Sequence, residues 1–254
     1  MRFDSLNWTF VRSLLDRASK FERGLIVALA LAASALYVFI KTASEVFEGE
    51  AHEFDTKVLM FFRNPLDISD PLGPRWFEEA MRDFTALGGT AVLGTITLFV
   101  VTFLMISAKK RTALLVAVSI IGGVVISNAL KWGFDRPRPD LVPHGMEVYT
   151  LSFPSSHAMM AAVVYLTLGA LLSRTQSSPR MRIFLLSCAV VLTMVVGISR
   201  VYLGVHWPTD VIAGWAVGAC WALGCWMTAL WMQREGPIEK PGETDVSPIG
   251  SKLR

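Results

Sequence analysis

The segment at 199–210 reads Ser-Arg-Val-Tyr-Leu-Gly-Val-His-Trp-Pro-Thr-Asp and separates two long apolar runs. Arg200 in this segment suits a phosphate, because its planar guanidinium donates paired, charge-assisted hydrogen bonds to oxyanions. His206 is followed four residues later by Asp210, a pattern that suits a nucleophilic imidazole oriented through its second ring nitrogen. Pro208 favours the first turn of a helix, which places the histidine just before that helix and the carboxylate inside it. Taken alone, these residues are also typical of anchoring at a membrane interface.

The composition indicates a polytopic membrane protein. The 254 residues are 53% hydrophobic with a mean hydropathy of +0.47, and the apolar residues gather in blocks. A net charge of +3 argues against a nucleic-acid partner, so we interpret the basic residues as topology signals. The three cysteines lie in apolar runs without metal-ligand spacing, which indicates buried apolar residues. Residues 1–23 lack a signal-peptide pattern, and the first apolar run would itself target the membrane.

The apolar runs predict an all-α bundle of about six transmembrane helices with short interfacial helices. The predicted spans are 24–46, 86–106, 112–130, 157–172, 183–198 and 211–232. Residues 47–85 are mixed in character and predict two short interfacial helices rather than a span. The predicted organisation is a cytoplasmic segment at 1–23, with an interfacial amphipathic helix, a membrane domain at 24–232, and a disordered cytoplasmic tail at 233–254.

The basic residues also predict the orientation of the bundle. The N-terminal segment, the loops at 109–111 and 174–182, and the tail are basic and should face the cytoplasm. The loop at 131–153 and the segment at 200–210 then fall on the opposite side. In a bacterial-type inner membrane that side is the periplasm, and both termini are cytoplasmic.

Two further segments place polar groups on the periplasmic side. Lys131 ends the third predicted span and is followed by the pairs Arg136-Pro and Arg138-Pro. Such charge is costly near hydrocarbon unless it is paired or solvated, and a stop-transfer cluster is disfavoured on a side where basic residues are scarce. The turn at 153–157, Phe-Pro-Ser-Ser-His, opens the fourth span. Beyond simple N-capping, it offers backbone N–H groups and the positive end of a helix dipole to an anion.

Together the three segments supply three cations, a helix N-terminus, two histidines and a carboxylate to one face. The sequence contains no glycine-rich nucleotide loop, no paired-carboxylate metal site and no zinc-ligand spacing. We therefore predict phosphoryl transfer to a histidine without a metal ion or other cofactor.

These three segments resemble the pattern of the type 2 phosphatidic acid phosphatase superfamily, the integral-membrane lipid phosphate phosphatases. That pattern is a lysine, six residues and Arg-Pro; then Pro-Ser-Gly-His; then Ser-Arg, five residues, a histidine, three residues and an aspartate. The chain matches it from Lys131 to Asp210 except at Ser156, where the family most often has glycine. The serine keeps its backbone N–H, so we expect activity to survive, with a narrower pocket or an altered preference among phosphate esters.

The resemblance implies a role for each matching residue. His206 would attack phosphorus, Asp210 would orient it and stabilise its positive charge, and His157 would protonate the leaving group. Water would then hydrolyse the phosphohistidine, with His157 acting as base. The phosphoryl oxygens would be held by a set of polar side chains and backbone N–H groups, namely Lys131, Arg138, Ser155, Ser156 and Arg200.

The resemblance also implies the substrates: undecaprenyl diphosphate, phosphatidate, phosphatidylglycerophosphate or the phosphate of lipid A. A polyprenyl diphosphate or a broad lipid range is favoured. Residues 140–152 would form a lid over the headgroup, with polar contacts from Asp140, His144 and Glu147. Arg136 has no assigned role, and no protein partner is predicted. Phosphotransfer to an acceptor other than water stays open, as does an anion transporter, which would need a polar path across the membrane midplane.

Overall fold

The computed structural model describes the backbone of residues 8–144 and 150–234 and the side chains of residues 24–144 and 150–232. The predicted tail and Glu147 fall outside the described side chains. One short antiparallel hairpin pairs β1 (Arg63–Asn64) with β2 (Asp67–Pro71). The described helices are α1 (Trp8–Glu48), α2 (His52–Phe61), α3 (Arg75–Ala86), α4 (Thr90–Ile106), α5 (Lys110–Phe134), α6 (Ser156–Thr175), α7 (Pro179–Tyr202) and α8 (Pro208–Arg234).

Five of the described helices are long and apolar enough to cross a membrane: residues 24–48 of α1, and α5, α6, α7 and α8. Helix α4 has 17 residues, about 25 Å at 1.5 Å per residue, which is short of a hydrocarbon core of about 30 Å. Helices α3 and α4 meet at 47° and form a sixth, broken span when taken as a pair. The predicted all-α membrane bundle of about six spans is confirmed.

The structure departs from the predicted boundaries in two places. Helix α1 continues without a break through the segment predicted as a separate interfacial helix, because Trp8–Glu48 contains no proline and only one glycine. The interfacial helices predicted within 47–85 are α2 and α3, but the hairpin between them was not predicted. Its strands, of two and five residues, are too short to show an alternating pattern.

Helix α6 lies at the centre of the bundle and packs against both α7 and α8, while α1 packs on the outside of α8. The contact between α6 and α8 depends on small residues. A Cβ atom added at Gly218 would lie 2.5 Å from the carbonyl oxygen of Met159, and one at Gly214 would lie 2.7 Å from that of Ser155. Such close approach of helix backbones is typical of packing in lipid.

Four helix ends meet at one end of the bundle: the C-terminal ends of α5 and α7 and the N-terminal ends of α6 and α8. Helices α2 and α3 and the hairpin cover this end. Leu59 of α2 packs with Val142 and Trp207, and Tyr202 packs with the rings of Phe62 and Phe77. The three predicted polar segments therefore share one partly covered end of the bundle.

Candidate active site

A cavity of about 520 Å³ lies at this end of the bundle. Its polar wall contains six of the predicted site residues, namely Lys131, Arg138, Ser156, His157, Arg200 and His206. Its opposite part runs between α4 and α5 and is largely apolar, with Leu93, Gly94, Ile120 and Val124 in the wall. The cavity therefore joins a cationic end to an apolar channel within the bundle.

His206 lies in the turn between α7 and α8, with 1% of its surface exposed. Its Nε2 atom lies 3.1 Å from Nη1 of Arg138. Because a guanidinium only donates, Nε2 is an acceptor and the ring proton belongs on Nδ1. Nδ1 faces two oxygens, Oδ2 of Asp210 at 3.4 Å and Oγ of Ser152 at 3.3 Å. The acceptor nitrogen Nε2 therefore lies beside a guanidinium of the cavity wall.

The surroundings of His206 favour its neutral form. Burial is the largest cause, and it holds the pKa of His206 well below its usual value of about 6.5. The positive charges of Arg200, Arg138 and Lys131 lower this pKa further. These surroundings therefore favour the unprotonated imidazole, which is the form that a nucleophile requires.

Asp210 stands behind the histidine, in the first turn of α8, and is completely buried. Its Oδ1 accepts a hydrogen bond from Nη1 of Arg136 at 2.6 Å. Its Oδ2 accepts one from the backbone N–H of Trp207 at 2.9 Å and one from the hydroxyl of Ser152. Ser152 was not predicted as a contact of Asp210, because its only signal in the sequence was its place at the end of the predicted lid.

Arg136, which had no assigned role, links the site to α2. Its Nη2 donates to Oδ2 of Asp55 at 2.6 Å, and its Nη1 also donates to the hydroxyl of Thr209 at 2.8 Å. Asp55 was not predicted as a site residue, because it lies in the stretch at 47–85 that is mixed in character. A usable signal was its spacing, because Asp55 lies four residues before Leu59 and both are buried on one face of α2.

The three cations of the cavity are each held by groups outside their own segment. Nζ of Lys131 donates to the carbonyl of Leu151 at 2.5 Å. Nε of Arg138 donates to the carbonyl of Thr150 at 2.7 Å, and its Nη1 donates to that of Val205 at 2.5 Å. Arg200, 1% exposed, donates from Nη1 to the hydroxyl of Thr85 at 3.1 Å. The guanidinium of Arg200 is therefore supported from α3.

The turn before α6 places its two serines and its histidine differently. The hydroxyl of Ser155 is the N-cap of α6, accepting from the backbone N–H of Ala158 at 3.5 Å, and this buried residue does not line the cavity. The hydroxyl of Ser156 lies 2.9 Å from that of Ser127 on α5. His157 lines the cavity from the first turn of α6.

The predicted lid is only partly described. Nε2 of His144 lies 2.7 Å from the carbonyl oxygen of Pro139, and Asp140 is exposed. Neither side chain lines the cavity. Among the residues that the structure describes, no group of three or more His, Cys, Asp or Glu side chains is arranged to hold a metal ion. The charged groups that line the cavity are cations, which suit an anion.

A neutral imidazole, a carboxylate behind it and three cations around one cavity define the class of protein: a multi-pass membrane protein with a site suited to phosphoryl chemistry. The sequence profile of the PAP2 superfamily matches residues 112–234. The phosphatidylglycerophosphatase B of Bacillus subtilis is 33% identical over 146 residues, which are 56% of this chain and 70% of that protein. The chain belongs to the PAP2 superfamily, as the motifs predicted.

Two further relatives differ in their named activities. The undecaprenyl-diphosphatase of Sulfolobus acidocaldarius is 32% identical over 147 residues, which are 54% of this chain and 63% of that protein. A lipid A 1-phosphatase of Rhizobium johnstonii is 30% identical over 144 residues, which are 53% of each chain. The chain thus spans between about half and two thirds of the length of these two relatives.

A solved structure agrees with this assignment. The PAP2-type phosphatidylglycerolphosphate phosphatase of Bacillus subtilis superposes with a TM-score of 0.68 at 27% identity. The match covers 80% of this chain and 98% of that one. The protein is therefore a membrane lipid phosphatase of the PAP2 type.

Proposed function

We propose that the protein hydrolyses a lipid phosphate or diphosphate through a phosphohistidine on Nε2 of His206, without a metal ion. The observation that carries the proposal is the position of this imidazole. Its acceptor nitrogen lies 3.1 Å from a cavity-lining guanidinium, and its Nδ1 faces the carboxylate of Asp210. A histidine placed in this way can attack a phosphorus atom whose oxygens are bound by the neighbouring cations.

In the first step, Nε2 of His206 forms a bond to phosphorus while the bond between phosphorus and the leaving oxygen breaks. His157 gives a proton to that oxygen, which leaves as a lipid alcohol or a lipid monophosphate. In the second step, a water molecule loses a proton to His157 and attacks phosphorus. The P–N bond breaks and inorganic phosphate leaves, so both histidines return to their starting forms.

The other site residues act on charge. Lys131, Arg138 and Arg200 oppose the negative charge spread over the phosphoryl oxygens, together with the backbone N–H groups at the start of α6. Asp210 stabilises the positive charge that the imidazole of His206 acquires as the P–N bond forms. The fixed cations supply the charge that a bound metal ion would otherwise contribute, which supports a metal-independent reaction.

The shape of the cavity supports a lipid substrate with a long apolar tail. Its cationic end is continuous with the apolar wall between α4 and α5, so a phosphate at His206 leaves the tail within the bundle and bilayer. The relatives are named for phosphatidylglycerophosphate, undecaprenyl diphosphate and lipid A. We favour a polyprenyl diphosphate or a broad lipid range, because three cations match the charge of a diphosphate.

We also propose that the site opens to the periplasmic side of a bacterial-type inner membrane, with both termini in the cytoplasm. The basic segments at 109–111 and 174–182 lie at the opposite ends of the helices from the cavity, as the positive-inside rule requires. On this proposal, residues 1–23 and 233–254 are cytoplasmic and flank a single membrane phosphatase domain at 24–232.

The test is phosphate release by the purified protein in detergent. Undecaprenyl diphosphate, phosphatidate, phosphatidylglycerophosphate and lipid A are assayed in parallel. His206→Ala should lose at least about 1,000-fold in kcat, because the attacking atom is gone. The matched control is His52→Gln, which changes an exposed histidine outside the cavity wall and should retain activity. Activity of His206→Ala close to that of the unchanged protein would refute the mechanism.

Two further measurements separate the finer claims. Rapid acid-free quenching with a ³²P-labelled substrate should trap a base-stable, acid-labile phosphoprotein that is absent from His206→Ala. EDTA should leave the rate unchanged, and a large loss that is restored by a divalent cation would contradict metal independence. Consumption of labelled lipid without release of inorganic phosphate would identify phosphotransfer instead of hydrolysis.

A further inference from the structure

We propose that Asp55 and Arg136 are positioning residues of the reaction, which act through Asp210 on the imidazole of His206. The inference rests on the proposed function, because it assigns a purpose to contacts behind the proposed nucleophile. Asp55 lies on α2, outside the region at 112–234 that matches the family profile. Arg136 lies inside that region, so the pair links α2 to the part of the chain that matches the profile.

Arg136 bridges two buried carboxylates. Its two terminal nitrogens bind different carboxylates, Nη2 to Asp55 and Nη1 to Asp210, both at 2.6 Å. Both carboxylates are completely buried, while the arginine side chain is 13% exposed. Buried carboxylates are costly unless they are paired, so this single guanidinium is shared between two charges that each need it.

Asp55 also contacts the first turn of α8. Oδ1 of Asp55 accepts from the backbone N–H of Thr209 at 2.9 Å, and Oδ2 accepts from its hydroxyl at 2.7 Å. Thr209 is the second residue of α8, next to Asp210. Asp55 thus caps the N-terminus of α8 from another helix, where a carboxylate is also favoured by the helix dipole. The cap fixes the turn that carries Asp210.

The charge available at Asp210 also depends on Asp55. With Asp55 present, Arg136 divides its positive charge between two carboxylates, and Asp210 keeps negative charge for Nδ1 of His206. Without the charge of Asp55, the guanidinium would pair with Asp210 alone and draw that carboxylate away from the histidine. Since the His206 contact is already 3.4 Å long, a small displacement weakens it substantially.

Because of these contacts, substitutions of Asp55 or Arg136 should affect the chemical step rather than substrate binding. Neither Asp55 nor Arg136 lines the cavity, and the hydrogen bonds described above for Lys131, Arg138 and Arg200 go to other groups. A residue that only supported the fold would change thermal stability and expression without separating kcat from KM. A positioning pair lowers kcat and leaves KM and the inhibition constant of inorganic phosphate nearly unchanged.

The experiment compares the full-length, purified variants Asp55→Asn and Arg136→Gln, and the double variant. Each single change should lower kcat by about 10- to 100-fold, because small misplacements of reacting groups have effects of this size, with KM changed by less than about threefold. The double variant should lose about as much as the more impaired single variant, because both act through Asp210. Glu53→Gln, which changes an exposed carboxylate on the same helix, is the matched control.

Arg136→Lys keeps the experiment decisive if Asp55→Asn fails to fold. The ammonium retains the positive charge but cannot bridge two carboxylates with a planar fork, so kcat should again fall at least tenfold. Unchanged kcat in folded Asp55→Asn or Arg136→Lys would overturn the proposal, as would losses that multiply in the double variant. His206→Ala, assayed beside them, separates the two levels: activity in that variant refutes the proposed function itself, whereas its inactivity beside a normal Asp55→Asn refutes only the positioning role.

Discussion

The two halves of the chain contribute to the cavity in different ways. The half from α5 to α8 carries every predicted site residue, including all the ionisable side chains that line the cavity. The half from α1 to α4 contributes Gly88, Thr90, Leu93 and Gly94 to the wall. Apart from Thr90, its polar contacts to the site lie one layer further out, at Asp55 and Thr85. On the proposed mechanism, the reacting groups thus lie in one half of the chain, while the other half shapes the cavity and supports those groups.

The difference teaches that a group which reacts and a group which supports leave different traces in a sequence. Reacting residues need defined chemical types at fixed spacings, as from His206 to Asp210. A supporting residue needs only the right contact in space, such as the hydroxyl of Thr85 on Arg200. Changes in the first class should reduce the rate by orders of magnitude, and changes in the second by smaller factors. Four substitutions, in order of expected effect, test this contrast.

The largest of these effects is expected for Asp210→Asn. The amide keeps the shape of the side chain but cannot balance the positive charge of a phosphorylated imidazole, and its NH₂ group favours the wrong ring tautomer. We expect kcat to fall about 1,000-fold, less than for His206→Ala. Asp83→Asn, an exposed acid on α3, is the control and should be unaffected. A loss of less than about tenfold, measured by phosphate release, would exclude the role given to Asp210.

The second effect tests the supporting half through Gly88→Ala. A Cβ atom there would lie 2.4 Å from Cγ1 of Val196 and 3.2 Å from the carbonyl oxygen of His157. Because a valine side chain is short and stiff, the corner between α3 and α4 must move away from His157. We expect kcat/KM to fall about tenfold or more, since misplaced reacting groups lose rate steeply.

Two variants make this second test specific. Gly224→Ala adds the same methyl group where nothing lies within 4 Å, and it should be neutral. The double variant Gly88→Ala with Val196→Ala removes the clashing Cγ1 atom, so it should recover part of the lost activity. An unimpaired Gly88→Ala protein would mean that the corner between α3 and α4 does not position His157.

The third effect concerns Thr85→Val, which removes the hydroxyl that accepts from Nη1 of Arg200. One lost hydrogen bond to a charged group corresponds to about 1.5–3 kcal/mol at most, and Arg200 also has other interactions. We therefore expect KM to rise about three- to tenfold with a smaller change in kcat. Thr85→Ser keeps the hydroxyl and should behave as the unchanged protein does. A fall in kcat alone would instead assign Thr85 to the chemical step.

For the half from α5 to α8, the sequence predicted which residues come together in space. Six of the eight predicted site residues line one cavity, because their three segments end up at helix termini on the same end of the bundle. The position of Pro208 was a local signal that the fold follows, because α8 begins at this residue. The catalytic and binding roles of these residues stay predictions until the variants are measured. The other two are Asp210, which lies behind His206, and Ser155, whose hydroxyl caps α6 instead of facing the cavity.

The supporting half could not be predicted to the same extent. Thr85 and Gly88 have partners on α6 or α7 that are more than 60 residues away, and no local pattern encodes such pairs. Asp55 is intermediate, because a carboxylate on the buried face of α2 is a local anomaly that calls for a buried partner. The identity of that partner, Arg136, requires the tertiary structure. A charged residue at a position on the apolar face of a helix is thus the sequence feature that indicates a supporting residue such as Asp55.

The smallest effect is expected for Ser156→Gly, which restores the glycine that the family most often has. Both residues supply a backbone N–H at the start of α6, so kcat/KM should change by less than about threefold.

The hydroxyl of Ser156 lies 2.9 Å from that of Ser127, and both residues line the cavity. Ser127→Ala removes the same contact without altering the backbone of α6. If the two variants shift the preference between diphosphate and monophosphate lipids equally, the hydroxyl pair sets that preference. If only Ser156→Gly shifts it, the cause is the space beside the phosphate. A large loss in Ser156→Gly would show instead that this serine belongs with the reacting residues.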